Sequence, residues 1–194
     1  IYQRHNQELR KIRKFIRKKG ASCQFEKLYL ATVEDYLEKG DMALGLLRDS
    51  AYSKLRQDVT ENGWICHGEY NQHNVLMIRK ETAVTSFEHW GFDVQMADLY
   101  RFMRKILEKY NWDVRLGMKM LSAYHKEKSI SEDEWQNIHI RFLYPEKYWK
   151  LANYYYSHNK AWISEKNTQK LKKLTGQKEA WQNFGAKCLE NYPF

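Results

Sequence analysis

Residues 65–77 read ICHGEYNQHNVLM, in which an apolar run leads into eight polar or small residues and a second apolar run leads out. The intervening loop concentrates His67, Glu69, Asn71, His73 and Asn74. A carboxylate and two side-chain amides held near strand ends are the groups that general-base and Mg²⁺ chemistry require. The same residues would also satisfy the backbone of a tight crossover loop, so the string by itself leaves both readings open.

The elements that must position this loop follow from periodicity. Apolar residues at three- and four-residue steps predict helices over 2–18 and 25–38, with shorter helical pieces at 42–48 and 54–60. Residues 64–66, 75–78 and 83–87 are short, β-prone runs separated by polar loops and read as small strands. Helices resume at 95–110 and 113–125. Ser131 with Glu134 three residues on forms a capping box for a helix that must stop near Tyr144, because Pro145 follows. Pro145 suits the first turn of a helix over 145–157, and Ser164 is an N-cap for a last long helix to about residue 190. The expected fold class is mainly α (α+β), with a little inserted β-structure.

Composition bounds the alternatives. At 194 residues and 43% hydrophobic content, one domain spanning 1–194 is the default. The formal charge of +9 could attract nucleic acid, anionic lipid, phosphorylated ligands or an acidic partner. The densest basic run, residues 10–19, carries Leu9, Ile12, Phe15 and Ile16 at helical spacing, so its cations read as the wet face of an amphipathic helix. No recognisable nucleic-acid module accompanies the charge, which argues against that partner. Cys23, Cys66 and Cys188 are widely spaced and unpaired in sequence, which fits a reducing, intracellular compartment better than a zinc site or disulfide framework. No apolar run approaches the ~20 residues of a membrane span. Ile1 opens directly on a helical pattern, which suggests a fragment of a longer protein. Tyr144, Tyr148, Trp149, Tyr154, Tyr155, Tyr156 and Trp162 invite a carbohydrate-binding reading, although aromatics at this spacing usually form core.

The loop string resembles the H-G-D-x-x-x-x-N signature of aminoglycoside phosphotransferases and choline kinases, relatives of the protein kinases. That resemblance implies that Glu69 stands where an Asp orients or deprotonates the substrate hydroxyl, that Asn74 holds Mg²⁺, and that His67 buttresses the loop. The family's metal strand and the Asp-Leu that follows it correspond to VTSFEHW at 84–90 and to Asp98-Leu99. FEHWGFDVQMADLYRFMRK, WDVRLGMKMLSAY and above all RFLYPEKYWKLANYYYSHNKAWIS resemble CotS-type spore coat proteins of the same superfamily, over residues 1–190. The fold so implied is the helical C-terminal lobe of a kinase-like phosphotransferase, with a small β-hairpin carrying the catalytic-type loop and the N-terminal lobe absent from this chain.

Three departures from the pattern bear on activity. Glu69 keeps the carboxylate but extends it by one methylene, roughly 1.5 Å, enough to misplace a general base. Ser86 occupies the metal-binding Asp position and removes a negative charge; Glu88, two residues on along the strand, points the same way in a period-two strand and could substitute. No glycine-rich turn or strand lysine precedes residue 64. The resemblance therefore implies a spore-coat-associated, catalytically weak or inactive homologue, a pseudokinase, with coat proteins or a small hydroxylated substrate as partners. The alternative is an active ATP-dependent small-molecule or sugar kinase once an N-terminal lobe is present. Mg-ATP is the cofactor that the resemblance allows for a full-length protein, with no tight binding expected of this chain. Asp98 is expected to reach back from its helix to brace the loop.

Overall fold

The computed structural model describes residues 1–157 and 165–189. Ser164, Trp162 and the end of the last helix at residue 190 lie outside them. The chain divides into two compact units, each assembled from discontinuous segments.

The first unit comprises Ile1–Leu46 and Leu143–Glu179. Helix α1 (Tyr2–Lys19) buries Leu9, Ile12 and Ile16 along one stripe, while Phe15 stays 40% exposed. Its cations form the wet face, as the periodicity requires: Arg10 pairs with Asp41, and Arg13 and Arg17 pair with Glu34. Helix α2 (Gln24–Asp49) is continuous, whereas the sequence pattern separates 25–38 from 42–48. Gly40 and Asp41, in the gap between those two stretches, are points of contact. A Cβ on Gly40 would sit 2.7 Å from Asn6 Oδ1, and Asn6 Nδ2 donates to Asp41 at 3.0 Å. Glycine is there for close approach to α1, and its helix-propensity cost of about 1 kcal/mol is overridden by packing.

Helix α7 (Glu146–Ser157) lays its tyrosines into this unit. Tyr155 stacks on Phe25 at 4.1 Å and Tyr148 on Tyr36 at 4.0 Å. The Tyr148 hydroxyl donates to the Tyr29 carbonyl at 3.2 Å, and that of Tyr29 to the Leu9 carbonyl at 2.8 Å. Tyr144, Tyr148 and Tyr155 are thus core with satisfied hydroxyls. Tyr154, half exposed, is on the other face of α7. The last helix is two, α8 (Glu165–Gly176) and α9 (Lys178–Cys188). They part at Gly176-Gln177, where the Gln177 N–H bonds to the carbonyls of Lys173 and Leu174.

The second unit comprises residues 47–142 and the chain from Ala180 onward. Helix α3 (Tyr52–Asn62) ends on Gly63 in the left-handed conformation. Four short strands follow: β1 (Ile65–Cys66), β2 (Val75–Ile78), β3 (Glu81–Val84) and β4 (Gly91–Phe92). Strands β2 and β3 form a hairpin with Val75 opposite Val84, and β1 pairs antiparallel with β4, Cys66 opposite Gly91. The loop therefore enters the hairpin at its base, with its other end fixed by the β1–β4 ladder. Strand β3 ends at Val84, short of the expected 87.

Helices α4 (Met96–Lys109), α5 (Val114–Glu127) and α6 (Glu132–Leu143) complete the unit. Asp113 caps α5 by accepting the Leu116 N–H at 2.7 Å. Ser131 and Glu134 form the expected reciprocal capping box, at 3.0 and 3.2 Å. Met103, Leu107, Trp112, Leu121, Ile138 and Phe184 pack in the core beneath the loop-bearing strands. Gly117 is required there, because a Cβ would meet the Phe184 ring at 2.3 Å.

Candidate functional site

Loop 67–74 lies wholly within the second unit and, between the ladders at its two ends, is held by buried groups. Gly68 has φ +84°, and a Cβ there would come within 1.9 Å of the His89 carbonyl oxygen. Only glycine meets both conditions. The turn leaves the N–H groups of His67 and Gly68 without backbone partners, and the Asp98 carboxylate accepts both, at 2.5 and 3.1 Å. Asp98 is in the first turn of α4, yet among the described residues its carboxylate bonds only to these loop N–H groups and to Arg101. Arg101, one turn on, closes the arrangement at 3.0 Å from the same carboxylate.

His67 is buried, and its two ring nitrogens have different partners. Nδ1 accepts the Glu69 N–H at 3.1 Å, which assigns the proton to Nε2, and Nε2 donates to the Thr85 carbonyl at 2.8 Å. The ring thereby ties the loop to the segment after β3, and it is flanked by Phe87 at 4.5 Å and Tyr70 at 5.9 Å. Asn71 is buried as well: its amide donates to the Glu69 carbonyl at 2.7 Å and accepts the His73 N–H at 3.0 Å. The Asn74 Nδ2 donates to the same Glu69 carbonyl at 3.0 Å. That bond commits the amide nitrogen and leaves Oδ1 as the group able to meet a cation.

The residues expected to carry chemistry are placed differently. The Glu69 side chain is 55% exposed, with His89 Nε2 at 3.7 Å from its carboxylate. Ser86 is exposed and adopts φ +67°, a left-handed conformation that Asp and Asn tolerate better than most side chains. Glu88 does not share a strand with Ser86. β3 has already ended, and Glu88 occupies a turn closed by the Trp90 N–H on the Phe87 carbonyl at 3.1 Å. The period-two argument that placed Glu88 beside Ser86 therefore fails, because it needs extended backbone through 86. Among the described residues, no three His, Cys, Asp or Glu side chains converge on a metal-sized point. Asn74 Oδ1 and Ser86 Oγ are neutral, so the donors do not reproduce a carboxylate-rich Mg²⁺ site.

Arg101 and His89 escape notice in the sequence. The first is signalled only by the Asp-x-x-Arg spacing on α4, and the second only by its proximity in space. Cys66, next to the loop, is inert: burial, reinforced by Asp98 and Asp93, pushes its thiol up to about 12. A cleft of about 440 Å³ opens beside the loop, lined in part by His67, Phe87, Asp98, Tyr124 and Lys128. Burial pushes the Tyr124 hydroxyl up to about 12, so it remains a donor there.

Comparison with known proteins places this architecture. An aminoglycoside phosphotransferase structure from Alicyclobacillus acidocaldarius matches with a TM-score of 0.88 at 20% identity, over 96% of this chain and 56% of that one. The fold is thus the helical lobe of a kinase-like phosphotransferase. Spore coat protein S of Bacillus subtilis (strain 168) is 24% identical over 170 residues, covering 87% of this chain and 48% of the relative. The chain spans about half the length of both. The family model described as "Spore coat putative kinase YutH" matches residues 2–188. The chain belongs to that family of kinase-like spore coat proteins.

Proposed function

We propose that the longer protein containing this lobe is a spore-coat component with a catalytically weak or inactive phosphotransferase site, acting in binding or structure. The observation that carries the reading is Ser86. It sits in a left-handed conformation suited to Asp, at the position where the resemblance puts the metal-binding carboxylate, and it supplies none. Glu88 does not replace it, and Glu69 reaches into solvent. This lobe by itself is expected to hold no Mg-ATP tightly. The test is a calorimetric titration of the full-length protein with ATP, with and without Mg²⁺. Nucleotide heat that Mg²⁺ does not change is expected. Mg²⁺-dependent turnover that disappears in Glu69→Ala would overturn the reading.

One observation favours the alternative of an active ATP-dependent kinase for a small hydroxylated substrate. The loop scaffold is complete: Asp98, His67 and Asn71 satisfy the loop backbone, and Asn74 keeps an oxygen free. In that reading Glu69 takes the substrate proton, and an N-terminal lobe supplies the remaining phosphate contacts.

A further inference from the structure

A second cleft, of about 770 Å³, lies between the C-terminal turn of α4 and the N-terminal turns of α5, with Gln72 of the loop on its rim. Two cation pairs flank it, Lys105 and Lys109 on α4 and Arg115 and Lys119 on α5. All four are exposed, and none forms an ion pair with a described residue. This is unlike Arg10, Arg13 and Arg17 of α1, which face carboxylates of α2. Among the described residues one carboxylate lines the cleft, that of Asp113, and it caps α5 by accepting the Leu116 N–H. The floor is apolar, formed by half-buried Ile106 and Leu116, and the exposed Tyr110 ring has Lys109 Nζ at 5.8 Å from its centroid.

We infer that this cleft docks an acidic, extended peptide segment of a partner protein. A single phosphate would call for cations converging on one point, whereas here they come as two i,i+4 pairs. Neighbours at that spacing are about 5–6 Å apart, close to the ~6.7 Å between alternate side chains of an extended strand. A segment with carboxylates at every second position would meet the cations with one face and lay its apolar side chains on Ile106 and Leu116. A nucleic-acid strand would want several stacking platforms, and among the described residues Tyr110 is the single exposed ring in this cleft. The inference is independent of whether loop 67–74 retains catalysis.

Fluorescence anisotropy tests it on the whole chain with a labelled peptide that alternates glutamate with leucine and alanine. Binding is expected, weakening about tenfold or more in Lys105→Glu/Lys109→Glu and in Arg115→Glu/Lys119→Glu. The control Lys11→Glu/Lys14→Glu, which changes net charge equally on the exposed face of α1, is expected to shift affinity less than about twofold. Hydrogen exchange should show new protection at 105–119 on peptide addition, a readout that does not depend on the variants. An equal loss in the α1 control, no binding to the wild type, or tighter binding of an oligothymidylate of the same charge would each overturn the proposal.

Discussion

Replacing Asp98 by Ala tests whether the loop is held from α4. The carboxylate is only 18% exposed and accepts the N–H groups of His67 and Gly68 together with Arg101. Its loss strands two backbone donors, each costing about 1–3 kcal/mol when unsatisfied; partial access of water puts the sum near the lower end, about 2–4 kcal/mol. A residue that merely caps its helix would cost about 0.5–2 kcal/mol, whereas the Asp98 carboxylate bonds to the loop and to Arg101. Asp98→Asn keeps one acceptor, turns an amide N–H toward the second donor and loses the charge, so it should recover no more than about half of that stability. Hydrogen exchange read by mass spectrometry, alongside urea unfolding, separates the cases. Protection should fall at Gly68 to Asn74 in both variants while α5 and α6 remain protected. If exchange rises only near 95–101, or if Asp98→Asn behaves as wild type, the clamp does not exist.

Ser86→Asp in the full-length protein should strengthen Mg²⁺-dependent nucleotide binding by calorimetry and leave the fold intact, since Asp tolerates the left-handed backbone at 86. Unchanged affinity in a folded variant would show that 84–90 is not the metal strand. Gly68→Ala should destabilise by about 2–4 kcal/mol in thermal or urea unfolding, because φ is +84° and the new Cβ would overlap the His89 carbonyl. Glu26, 2% exposed at its side chain, feels burial that raises its pKa, but bonds from Lys19 and Ser22 outweigh it and the net shift is downward from 4.5. A lowered folded pKa stabilises above about pH 4.5 and is lost as pH falls through the folded value. Glu26→Gln should therefore cost on the order of 1–2 kcal/mol at pH 7 and flatten the acid limb of the stability curve. Burial pushes the thiols of Cys66 and Cys188 up to about 12 and about 11. A thiol reagent at pH 8 should consequently modify Cys23 first, with the other two reacting only on unfolding.

Elements whose signal is local were legible before any coordinates. The Ser131/Glu134 box, Asp113 at the start of α5 and the Tyr144-Pro145 break all depend on neighbours within four residues, and all are observed. Gly40 misleads because its reason is Asn6, 34 positions away in the chain, and no local rule can see it. Gly176 misleads in the opposite direction, since a last helix read as continuous parts there. At the site, the Asp98 reach was legible only through the family resemblance. Glu88 was misplaced because strand continuation past Val84 was assumed, and the positive φ of Ser86 that ends it carries no marker in a serine.

The loop separates into two sets of residues with different physical exposure. His67 and Asn71 are buried, Asp98 is largely so, and each satisfies backbone groups that would otherwise go unpaired. Glu69, Ser86 and Glu88 face solvent, and exchanging them touches little of the packing. A chain that stopped needing phosphoryl transfer would thus keep the first set, whose loss costs folding free energy, and be free to vary the second. An intact HGE loop braced by Asp98 is then what an inactive relative would also retain. It follows that the scaffold weighs only weakly toward the active reading, and that Ser86 and Glu69 discriminate between the two. Restoring the carboxylate at 86 and shortening the one at 69 in the full-length protein, Ser86→Asp with Glu69→Asp, makes the separation measurable. Mg²⁺-dependent ATP turnover that appears only in the double variant is expected if the scaffold is still a catalytic frame. A double variant as silent as the wild type, yet folded and nucleotide-bound, would show that the frame has been turned wholly to structure or binding.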